Sequence, residues 1–124
     1  MRILVVEDQN SIRVMIEALV RARGYDVMGV SSGAKALDVV HTFAPNLILL
    51  DLAMPGQYDG IEVCERIRSN AVTANIPIVV VSAALNEKNR ARAEAAGATA
   101  FYSKPFSPMA LLKELERIQG TDSP

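Results

Sequence analysis

Tryptophan is absent from this sequence, and cysteine occurs once, at Cys64. A lone cysteine excludes an internal disulfide. Without Cys or His neighbours at ligand spacing it also gives no structural zinc site, so packing is its expected role. An excess of charge of one sign is missing too. Against 14 acidic residues stand 13 Lys and Arg, with no basic block to neutralise a row of phosphates, which argues against direct nucleic-acid binding by this chain. Long hydrophobic runs are lacking: the longest, Ile76 to Leu85, contains Pro77 and falls far short of the roughly 18 to 20 residues that span a membrane. Met1 to Val6 meets acids before a signal-peptide core can form. The expectation is a soluble cytoplasmic chain with no membrane partner. Neither a Walker loop nor a Gly-x-Gly-x-x-Gly turn follows the first apolar run, which disfavours a nucleotide-binding fold.

What is present is enough apolar material, 50% of 124 residues, for one compact core. Five short apolar runs have strand length: Ile3 to Val6, Val27 to Val30, Leu47 to Leu50, Ile78 to Val81 and Thr99 to Tyr102. Between them the apolar period becomes helical. Ile12, Met15, Ile16, Leu19 and Val20 form one helix face, with Gly24 as its stop. Ala36, Leu37 and Val40 mark a second helix after Ser32, and Ile61, Cys64 and Ile67 a third after Gly60. A weakly amphipathic fourth spans Glu87 to Ala96. Leu111, Leu112, Leu115 and Ile118 mark a fifth, with Ser107 to cap it, Pro108 at its first position and Gly120 just beyond. Strands alternating with helices predict an α/β fold, a parallel sheet covered by helices on both faces.

Reactive side chains fall where the apolar runs end: Glu7 and Asp8 after the first, Asp51 after the third, Ser82 after the fourth and Lys104 shortly after the fifth. In an open parallel sheet these ends share one edge, where ligands bind. Three carboxylates in one cleft repel one another unless a cation holds them charged, and an all-oxygen donor set suits Mg²⁺ or Mn²⁺ rather than zinc or copper. A carboxylate can attack phosphorus to form an acyl phosphate, with Lys104 and Ser82 stabilising the charge.

Val5-Val6-Glu7-Asp8, Leu49-Leu50-Asp51-Leu52-Ala53-Met54-Pro55, Asp59-Gly60, Val80-Val81-Ser82-Ala83 and Tyr102-Ser103-Lys104-Pro105-Phe106 resemble, in order, the motifs of response-regulator receiver domains. The resemblance runs from Arg2 to Gly120. It implies a flavodoxin-like (βα)5 fold with strand order 2-1-3-4-5. Residues 1–120 would then be the receiver domain, and 121–124 a C-terminal tail or the start of a linker. It implies that Asp51 takes a phosphoryl group from a histidine kinase or histidine phosphotransfer protein and signals to a downstream protein or output domain. The metal ligands would be Asp8, Asp51 and the backbone carbonyl of Ala53, with Glu7 acting directly or through water. Lys104 would contact the phosphoryl group, Ser82 would move toward it, the Tyr102 ring would turn inward in response, and Lys104-Pro105 would be a cis bond. Two features depart from the family pattern: the loop from Met54 to Gly60 is one residue longer, and Thr99-Ala100 stands where some dimerising receivers carry two acids.

A rival is a phosphatase of the haloacid-dehalogenase type, which also uses a strand-end Asp and Mg²⁺. That chemistry needs a second Asp two positions on, where this chain has Ala53. A receiver-like binding module that takes no phosphate is a second rival, disfavoured by the intact set of acids, hydroxyl and lysine. The chain is therefore expected not to be a multiple-turnover enzyme. His41 reads as a surface residue of the second helix.

Overall fold

The computed structural model describes residues 1–52, 59–83, 86–104 and 107–120. Strands and helices alternate as β1 (Arg2–Val6), α1 (Asn10–Ala22), β2 (Asp26–Val30), α2 (Gly33–Phe43), β3 (Leu47–Leu50), α3 (Gly60–Ser69), β4 (Ile78–Ser82), α4 (Glu87–Ala95), β5 (Ala100–Ser103) and α5 (Pro108–Gly120). The five strands form one parallel sheet in the order β2-β1-β3-β4-β5. This is the expected flavodoxin-like arrangement.

Successive strand side chains point to opposite faces, and two cores result. Leu4, Val6, Ile48, Leu50, Ile78 and Val80 pack beneath α2, α3 and α4. Ile3, Val5, Leu47, Leu49, Val79 and Val81 pack beneath α1 and α5. Because both faces are covered, β3 and β4 are buried at every residue, which is why they read as unbroken apolar runs.

Side-chain caps set the helix starts. Ser32 Oγ accepts from the Lys35 amide at 3.2 Å, Asp59 Oδ1 from Glu62 at 3.0 Å and Asn86 Oδ1 from Asn89 at 2.8 Å, each satisfying a first-turn N–H that has no helical partner. Ser107 Oγ accepts more weakly from Ala110, at 3.4 Å. Gly24, at φ +85°, carries the chain out of α1 in a conformation that glycine adopts without strain. Several boundaries shift by one residue from the sequence reading, and two of these shifts place a polar or capping residue differently. Gly120 is the last residue of α5 rather than the one beyond it. Thr99 precedes β5, and its Oγ1 accepts from the Ile78 amide at 3.0 Å while its own amide donates to Ile78 O at 2.8 Å; the side chain ties the entries of β4 and β5 together. His41 is exposed on α2, as expected. Among the described residues no helix is long and apolar enough to cross a membrane. Residues 53–58, which hold most of the lengthened loop, the Lys104-Pro105 bond and the 121–124 tail lie outside the described residues.

Candidate functional site

Strand register brings the polar residues to one edge. Val6 pairs with Leu50, and Leu50 with Val80, so the residues that follow emerge side by side. Backbone bonds carry the pairing one step further: Glu7 N donates to Val30 O at 3.0 Å, Asp51 N to Val6 O at 3.1 Å and Lys104 N to Ser82 O at 3.1 Å. One carboxylate oxygen from each of Glu7, Asp8 and Asp51 lies within 4.8 Å of the others. Glu7 and Asp51 are 3% and 6% exposed, Ser82 is fully buried, and Asp8 is half-buried.

The Lys104 ammonium bridges two of the acids, donating to Glu7 Oε1 and, at 3.2 Å, to Asp51 Oδ2. The other Glu7 oxygen accepts from Gln9 N at 3.1 Å. Burial pushes the Glu7 pKa up and the nearby charge of Asp51 adds to the rise, against the pull of Lys104 and the Gln9 amide. Burial alone would lower the pKa of Lys104, but its bond to Glu7 and the charges of Asp51 and Glu7 more than offset this and raise it. Lys104 therefore stays charged. Among the described residues, three carboxylates gather with the Lys104 ammonium at a buried edge, where like charges repel and a cation would offset them. Among the described residues no His or Cys joins the cluster, and its hard oxygen donors fit Mg²⁺. The Ala53 carbonyl, expected as a further ligand, lies outside the described residues.

The family model described as "Response regulator receiver domain" matches residues 3–116 of this chain. The chain belongs to the response-regulator receiver family. It is similar to the phosphate regulon transcriptional regulatory protein PhoB of Pseudomonas aeruginosa, 34% identical over 98% of this chain and 53% of that protein. Among solved structures it resembles chemotaxis protein CheY4 of Vibrio cholerae, at 30% identity and a TM-score of 0.89, covering 94% of this chain and 97% of that one. It also resembles the receiver domain of sensor histidine kinase PA1611 from Pseudomonas aeruginosa, solved with a magnesium ion in its active-site cleft, at 30% identity and a TM-score of 0.85 over 94% of both chains. The chain spans about half the length of the curated relatives it matches.

Tyr102 does not share a sheet face with Ser82. Strand alternation puts Ser82 on the Val80 side, beneath α4, whereas Tyr102 packs with Val81 on the side of α1 and α5. There its hydroxyl donates to Glu114 Oε2 at 2.6 Å. Burial and the bond to Glu114 push the phenol up to about 12. Glu114 in turn is held below its usual range by Arg117, whose Nε donates to Oε2 at 3.1 Å, despite the opposing effect of burial. The aromatic on the Ser82 face is Phe101, which pairs with Val80 and carries the Arg90 guanidinium of α4 over its ring, 5.1 Å from the centre. The sequence reading did not single out Phe101.

Proposed function

We propose that this receiver accepts a phosphoryl group on Asp51 from the phosphohistidine of a histidine kinase or histidine phosphotransfer protein. What carries the reading is the gathering of Glu7, Asp8 and Asp51 at one sheet edge with the Lys104 ammonium among them. An Asp51 carboxylate oxygen bonds to phosphorus as the donor's phosphorus–nitrogen bond breaks, and the electron pair leaves with the imidazole. Lys104 and the Ser82 hydroxyl follow the phosphoryl oxygens and offset their charge. Glu7, Asp8 and Asp51 would hold Mg²⁺, or Mn²⁺ in its place, which when bound neutralises charge on the carboxylates and the phosphoryl oxygens. The magnesium in the PA1611 cleft supports that assignment by likeness.

Residues 1–120 form the receiver unit in this reading, with 121–124 a tail or the start of a linker, and the protein works in the cytoplasm. Its output, to a downstream protein or an output domain, passes through α4, β5 and α5. Incubation with Mg²⁺ and a small phosphodonor, followed by intact-mass measurement, tests the proposal: one phosphoryl group per chain is expected, and none would sink it. Multiple-turnover hydrolysis of phosphate esters would instead favour the phosphatase reading.

Cation binding should register in stability. Mg²⁺ at a hundred times its Kd should add about 2.7 kcal/mol, seen as a raised thermal midpoint that Asp8→Asn removes. The proton competes through Glu7, whose pKa is raised, so binding should weaken as pH falls through that value; equal affinity above and below it would contradict the role of Glu7. For output, beryllofluoride, a phosphoryl mimic, should shift the amide resonances of Arg90 and Phe101 more than those of Glu114 and Arg117. The reverse ranking would return the switching role to Tyr102.

A further inference from the structure

Arg13 on α1 lies outside the acidic cluster, yet it is bonded to the chain segment that carries two of the three acids. Its Nη1 donates to the carbonyl of Glu7 at 3.0 Å. That carbonyl belongs to the peptide joining Glu7 to Asp8, and a peptide is planar and rigid. Fixing its orientation fixes the directions in which both acids leave the backbone. The other guanidinium nitrogens are also engaged: Nη2 donates to Asn10 Oδ1, and Nε faces Glu17 Oε1 at 3.7 Å. Side chains of this pair are only 17% and 23% exposed, less than solvated surface charges would be. Room for the pair comes from β2. A Cβ on Gly29 would collide with Glu17 Oε1, stand 2.7 Å from Glu17 Cδ and come within 3.1 Å of Arg13 Cδ.

We propose that Arg13 is a positioning residue for the cation site, held by Glu17 in the space left by Gly29 and orienting the Glu7–Asp8 peptide. A planar fork with several fixed donors suits this task better than a single mobile ammonium. Simple electrostatics predicts the opposite sign, because a positive charge beside the cluster repels a divalent cation. Positioning and charge therefore separate in one measurement.

The proposal rests on the cation reading given above, and calorimetric titration of Mg²⁺ into the phosphate-free protein tests both. Wild type that binds no Mg²⁺ overturns the cation reading itself. If wild type binds, folded Arg13→Ala should bind about tenfold more weakly, the scale seen when residues behind metal ligands are removed. Unchanged or tighter binding overturns the role of Arg13. Gly29→Ala meets Glu17 and Arg13 rather than Glu7, Asp8 or Asp51 and displaces only flexible side-chain ends, so it should fold whether or not Arg13→Ala does. It should weaken Mg²⁺ binding too. In the Arg13→Ala background it should add nothing further. Gly29→Ala at wild-type affinity, or a full second loss in the double variant, breaks the proposed chain of contacts.

Discussion

Asp51→Asn should take up no phosphoryl group at this site, with intact mass unchanged after the Mg²⁺ and phosphodonor incubation that adds one group to wild type. An amide oxygen is a poor nucleophile toward phosphorus, and no neighbouring acid takes over. Glu7 has both carboxylate oxygens bonded, to Lys104 and to the Gln9 amide. Asp8 leaves the β1 edge from a different strand. A normal acyl-phosphate signal in Asp51→Asn would show that the acceptor lies elsewhere. A second effect separates loss of the nucleophile from general damage. The charge of Asp51 helps raise the pKa of Glu7, so in metal-free protein the substitution should move the Glu7 titration down. The sign for stability follows from linkage. A group whose pKa is raised on folding contributes stability that is full below its unfolded value, near 4.5, and is lost as pH rises through the folded value. Metal-free wild type should therefore lose this contribution on going toward neutral pH, and Asp51→Asn should lose less of it. An equal loss in both proteins would mean that the two carboxylates do not interact.

Glu7, Asp8, Asp51, Ser82 and Lys104 are legible in the sequence because each follows an apolar run, and a parallel sheet delivers those ends to one edge whatever the detailed packing. Register and facing are harder to read. β4 is apolar on both faces, so Ile78 to Val81 carry no alternation to say which residues look toward α4. Without that, Phe101 and Tyr102 are equal candidates for the aromatic that shares a face with Ser82, and position along the chain draws attention to the one nearer Lys104. The pairing of Val80 with Phe101 puts Phe101 on that face. Arg13 escapes for a different reason. It lies off the apolar stripe of α1, where a charge reads as solvated, and its partner is a backbone carbonyl that no side-chain pattern announces. Thr99 is similar: a polar residue at a strand entry reads as part of the strand until its bonds to Ile78 are seen.

Gly60→Ala should destabilise the protein by about 1–3 kcal/mol, the usual cost of overpacking, although helix propensity alone predicts the opposite. Gly60 opens α3, and alanine is favoured over glycine within a helix by about 1 kcal/mol. Nothing in its backbone conformation demands glycine, since its φ is not among the positive values. What demands it is proximity. A Cβ there would collide with the carbonyl oxygen of Asp51, and would stand 2.5 Å from Leu52 Cα and 3.0 Å from the Asp51 carbonyl carbon. These are backbone atoms and cannot swing aside. Nor can α3 withdraw cheaply, because Ile61, Val63, Cys64 and Ile67 anchor it in the core. The end of β3 is held from the other side by the bond from Asp51 N to Val6 O. The strain must therefore fall on the segment that presents the phosphoacceptor. A lower denaturant midpoint with an unchanged slope should accompany slower phosphoryl uptake, so that a stability defect and a site defect arise from one methyl group. A raised midpoint would mean that α3 gives way freely and that the position of Asp51 does not depend on this contact.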